Sequence, residues 1–149
     1  MSRLIILASI VLALSFQTAV AQESSDYSIE KTSLFKLHIE GLDKAEGEVR
    51  IAMFNSEENY TKETVYAVVI PVDSLSIEWS VEGLPFGEYA IAVYHDKNEN
   101  GKLDANFLGI PKEDYGFSNN ARGRFGPASW KDARFSVDSE STIHQILIK

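Results

Sequence analysis

Apolar and polar residues alternate along this chain with a period of two, and that alternation restricts its fold more than any other feature. Phe35, Leu37 and Ile39 alternate with Lys36, His38 and Glu40, while Val49, Ile51 and Met53 alternate with Glu48, Arg50 and Ala52. Successive side chains of a strand point to opposite faces, so such runs build strands with one dry face. The pattern returns at Leu75, Ile77, Trp79 and Val81, at Tyr89, Ile91 and Val93 between the smaller Ala90 and Ala92, and at Phe135 and Val137. Two β-branched runs, 65–72 and 142–148, bring the expected strands to seven.

Turn residues separate these runs: Gly41-Leu42-Asp43, Asn55-Ser56-Glu57-Glu58-Asn59, residues 71–74 and 83–87, and Asp138-Ser139-Glu140-Ser141. Short strands punctuated in this way predict an all-β fold, a single antiparallel β-sandwich of immunoglobulin-like or transthyretin-like kind, over residues 33–149. Helix signals are few. One or two helical turns are expected over 57–65, with Ser56 as cap.

Residues 1–21 have the three parts of a secretory signal: Arg3, an apolar stretch over 4–16, and the small-residue site Ala19-Val20-Ala21. An exported protein is expected, periplasmic or secreted, with no membrane span once the signal is cleaved. Residues 22–32 are polar and aperiodic and read as a flexible leader. The absence of cysteine excludes a disulfide scaffold, a thiol nucleophile and a thiolate metal site. A formal net charge of -8 makes nucleic acid a poor partner, because binding it draws on a basic surface.

Residues 97–131 show no strand periodicity, and an ordered loop this long is usually functional. It opens with Asp96-Lys97-Asn98-Glu99-Asn100-Gly101-Lys102-Leu103-Asp104, which matches the first nine positions of the calcium loop D-x-[DN]-x-[DN]-G. Calcium takes six to eight oxygens, and a tight coil turns positions 1, 3 and 5 inward while a glycine at position 6 takes the sharp bend. Asp96, Asn98, Asn100 and Asp104 would offer side-chain oxygens and Lys102 its carbonyl, with Leu103 tucked into the core. Phe107 occupies the twelfth position, where an EF-hand has a bidentate carboxylate. Either Glu113 or Asp114 folds back, or water and backbone complete the shell. The bland alternative is an Asx-rich turn that caps its own amides. Transition metals suit this loop less, since only His95 brings nitrogen.

Downstream, residues 115–130 mix rings, amides and two arginines. Tyr115, Asn119, Asn120, Arg122, Arg124 and Trp130 are candidate ligand contacts, suited to a glycan, a peptide or an envelope protein. The same residues suit a loop that packs its own rings over the sheet, with Arg122 and Arg124 paired to Glu113, Asp114 or Asp132. A metal-free structural or assembly protein is the main rival. A hydrolase built on His95 and the loop carboxylates is a weaker one, and an enzyme is not expected.

The words YAIAVYHDKNENGKLD, GIPKEDYGFSNNARG and FGPASWKDARF, with GEVRIAMFNSEENY upstream, resemble the DUF2141 family of uncharacterised exported bacterial proteins. The resemblance implies an exported β-sandwich with no established activity and carries over no catalytic residue. The LP-x-G-EY turn also resembles transthyretin-like and collagen-binding B-type modules, which bears on fold alone.

Overall fold

Each alternating segment forms a strand in the computed structural model, which describes residues 30–149. The expected signal at 1–21 and residues 22–29 of the leader lie outside the described residues. In chain order the elements are β1 (Thr32–Glu40), β2 (Glu48–Phe54), β3 (Tyr66–Pro71), β4 (Ser76–Pro85), β5 (Gly87–Asp96), β6 (Tyr115–Phe117), a short helix α1 (Trp130–Ala133), β7 (Phe135–Val137) and β8 (Ser141–Leu147). Thr32, assigned to the leader, is the first residue of β1.

The strands make two sheets, ordered β4-β1-β8 and β3-β2-β5-β6, with β7 also paired to β5. The all-β sandwich therefore stands, but one ladder is not antiparallel. β1 and β8 run parallel, from Leu34 opposite Ser141 to Glu40 opposite Leu147. Parallel neighbours need a crossover. The chain supplies it by leaving β7 in the other sheet and entering β8 at the end where β1 begins, where Leu34 N donates to Glu140 O.

Between the sheets the dry faces meet: Phe35, Leu37 and Ile39 of β1, Val49, Ile51 and Met53 of β2, and Tyr89, Ile91 and Val93 of β5 are all buried. Burying each of the larger side chains is worth about 1.5–3 kcal/mol. A second cluster lies on the opposite face of β2 and β5, where Phe54 and Ala90 pack against Tyr60, Phe117, Ala128, Trp130 and Ala133. The small Ala90 and Ala92 let covering segments lie close to that face. Residues 57–63 form turns rather than the expected helix, with Ser56 Oγ accepting from Asn59 N at 3.3 Å. They deliver Tyr60, whose ring meets Phe54 and Trp130 edge-on. Burial pushes the Tyr60 hydroxyl up to about 12.

The stretch expected to be one loop thus contains β6 and the first half of α1. β6 pairs with residues 92–94 of β5 and β7 with residues 87–89. In the gap between them, Ile91 N donates to Ser118 Oγ at 2.9 Å, and the Ser118 hydroxyl donates to Ala133 O. One buried serine ties β5 to α1. Ser129 starts α1 by accepting from Asp132 N at 3.2 Å.

Candidate functional site

β5 ends in His95 and Asp96, both fully buried, and the chain then coils back on itself. Asp96 anchors the coil: its Oδ1 accepts from Asn100 N at 3.1 Å and its Oδ2 from Gly101 N at 2.7 Å. Gly101 has φ of +80°, the left-handed conformation that glycine reaches without a Cβ clash. Arg50 on β2 lies beneath the coil, donating from Nε to Asp96 Oδ2 at 3.0 Å and pairing with Glu48 on its other side. Asp96 therefore has a cationic partner within the protein.

The side-chain ends of Asn98, Asn100 and Asp104 meet. Asn98 Nδ2 and Asn100 Nδ2 donate to the two Asp104 oxygens at 2.7 and 3.0 Å. Asn98 Oδ1 accepts from Asn100 N, and Asn100 Oδ1 from Lys102 N. Four expected ligand side chains are thus gathered in one coil, together with the Lys102 backbone. Calcium would require the two amides to turn end for end, which presents oxygens where the amino groups now point but gives up the bonds that their Oδ1 atoms accept from Asn100 N and Lys102 N. Asp104 has both oxygens at that point, and Asp96 Oδ1 keeps one lone pair. As they stand, the Asp96, Asn98 and Asn100 oxygens cap the coil's own amides, the Asx-rich turn given as the alternative, and a hard cation would have to compete with those bonds.

The two candidates for completing the shell part company. Glu113 is buried and spans the coil, its Oε1 accepting from Lys97 N and its Oε2 from Asp104 N, both at 2.9 Å. Asp114 turns away to Lys97 Nζ at 3.0 Å. Phe107 at the twelfth position is almost fully exposed. Leu103 does not enter the core as expected: it is partly exposed and lines a groove of about 400 Å³ together with Leu108, Ile110, Tyr115, Arg124 and Phe125.

Of the six candidate ligand contacts, Tyr115 and Arg124 line this groove. Arg122 lies over the Tyr115 ring, 5.4 Å from its centre, and donates to Tyr115 O. Asn119 Nδ2 donates to the carbonyls of Asp132 and Arg134, and Asn120 Oδ1 accepts from Leu147 N at 2.8 Å. Trp130 belongs to the outer core. These contacts give Asn119, Asn120 and Trp130 packing roles. Neither loop arginine pairs with Glu113, Asp114 or Asp132 among the described residues. Sequence reading missed Leu108, Ile110 and Phe125 as groove residues, because isolated apolar residues in a loop carry no periodic signal.

Fold and site together define an all-β sandwich with an Asx-rich coil at the end of one strand and an apolar groove beside it. Residues 37–145 match DUF2141, described as an uncharacterized protein conserved in bacteria, and the chain belongs to that family. No curated protein and no solved structure matches the chain. Among the described residues no helix is long and apolar enough to cross a membrane.

Proposed function

We propose that the protein is an exported calcium-binding module in which the ion fixes one wall of an apolar recognition groove. The observation that carries this reading is the convergence of Asn98, Asn100 and Asp104 beside Asp96, in a coil whose next residue after Asn100 is the left-handed Gly101. Leu103, inside the coil, also lines the groove, so an ion that stiffens the coil would set the groove wall. Export rests on the signal-like residues 1–21. Exposed Leu108, Ile110 and Phe125 favour a partner with apolar side chains, a peptide or an envelope protein, over a glycan. In this role the chain binds and does not catalyse.

Without a twelfth-position carboxylate, affinity falls in the range of extracellular modules, about 10⁻⁴ to 10⁻³ M. At ten times the dissociation constant, calcium would add about 1.4 kcal/mol and raise the melting temperature by roughly 4–8 °C over chelator. Asp104→Asn should abolish that rise. An unchanged melting temperature with no heat on titration would remove calcium from the account.

A second reading, a metal-free structural or assembly protein, is favoured by two contacts: Arg50 already neutralises Asp96, and Glu113 is engaged by two amides. The same titration separates the two.

A further inference from the structure

His95 faces away from the coil, toward the turn between β1 and β2. Its Nε2 lies 2.7 Å from Glu46 O. A carbonyl only accepts, so Nε2 carries a proton, and in the neutral imidazole Nδ1 then presents its lone pair. That atom is buried and has no hydrogen-bond partner among the described residues. It lies 3.8 Å from Asp43 Oδ1, and ligand atoms of Asp43, His95 and Asp114 all fall within 4.8 Å of one another. In that neutral form the lone pair facing two carboxylates is repulsive unless a cation sits among them. Lys97 partly meets that need, its ammonium lying 2.9 Å from Asp43 Oδ1 and 3.0 Å from Asp114 Oδ2 without reaching Nδ1.

We infer that His95 Nδ1, Asp43 and Asp114 form a binding site for a divalent transition ion of the zinc type, distinct from the coil on the other side of Asp96. Mixed nitrogen and carboxylate donors suit such an ion better than calcium. The imidazole is already oriented as a ligand, with its remote N–H held by a main-chain carbonyl, the arrangement that fixes tautomer and ring position in metal sites. Donors on one tetrahedral ion at 2.0–2.2 Å stand roughly 3.4 Å apart. Rotation of the partly exposed Asp43 and Asp114 carboxylates closes the remaining distance, and the ion displaces the Lys97 ammonium. Two backbone features hold the site together: His95 N donates to Asp114 O at 2.9 Å, and Gly47 lets the β1–β2 turn pass so close that a Cβ would stand 2.4 Å from Asp96 O.

The test is a zinc titration by calorimetry of the full chain in millimolar calcium, with Asp43→Asn, Asp104→Asn and Lys97→Met variants. Asp43 is half exposed, so Asp43→Asn keeps the fold. It should weaken zinc binding by at least about tenfold, because it removes a direct ligand where loss of an outer-shell partner alone already costs on the order of tenfold to a hundredfold. Asp104→Asn should leave zinc binding unchanged, which separates this site from the calcium coil whether or not the coil binds calcium. Lys97→Met, which removes the competing ammonium, should bind zinc more tightly. Long-range proton–nitrogen spectra should show the His95 Nδ1 resonance moving on zinc addition. No zinc binding, binding equal in wild type and Asp43→Asn, or an Nδ1 resonance unmoved by zinc would overturn the inference.

Discussion

Glu113 illustrates how one side chain can close a loop. Its two oxygens hold the amides of Lys97 and Asp104, the two ends of the coil, so one carboxylate closes a coil with six residues between its ends. Glu113→Gln keeps only one oxygen and presents an amino group to the other N–H. In chelator it should cost about 1–3 kcal/mol, because a charge-assisted bond is lost and a part-buried donor is stranded. Urea denaturation reads this directly, and an unshifted midpoint would mean the coil is closed by other contacts. Asp96, Asn98, Asn100, Gly101 and Asp104 were legible from spacing alone, since an Asx coil is made by neighbours in sequence. The partner Arg50 was not, because it arrives from β2, and Glu113 was legible only as one of two neighbouring carboxylates able to fold back onto the coil. Lys97 shows charge doing similar work: burial pulls its ammonium down, but hydrogen bonds to Asp43 and Asp114 outweigh that and raise it.

At the scale of elements, β6 and α1 mark the limit of periodicity. Three residues of strand and four of helix are too short to repeat a pattern; β6 falls inside the segment read as a loop and α1 straddles its end. Ser129-Trp130-Lys131-Asp132 does carry a serine-x-x-acid start signal that sequence reading passed over. Ser118 joins the two elements through β5. Ser118→Ala would leave Ile91 N and Ala133 O without their partner in a fully buried setting and should destabilise by about 1–3 kcal/mol. Faster hydrogen exchange at the Ile91 amide, with an unchanged urea slope, would identify the mechanism; an Ile91 amide as protected as before would contradict it.

For the molecule as a whole, β2 and β5 matter most because each has apolar residues on both faces. Trp79 contacts Phe35 and Tyr66 at the inter-sheet core, whereas Trp130 contacts Tyr60 in the outer one. Since the same two strands carry both cores, the layers should unfold together. Trp79→Phe and Trp130→Phe leave one reporter each, and each variant's fluorescence should lose its native signal at the same denaturant concentration as its circular dichroism. A separate, earlier loss of the Trp130 signal would mean the outer layer melts alone.

Alternation and turn spacing by themselves determined that this chain makes two-faced strands, where most of them lie, and that an oxygen-rich coil follows the fifth. Those are local properties, set by side chains a few residues apart. Tertiary structure alone decided that β8 runs parallel to β1, that a second core covers the outer face of β5, and that His95 Nδ1 faces Asp43 and Asp114. Each of these depends on segments distant in sequence, and period-two alternation says which face of a strand is dry without naming what will cover it.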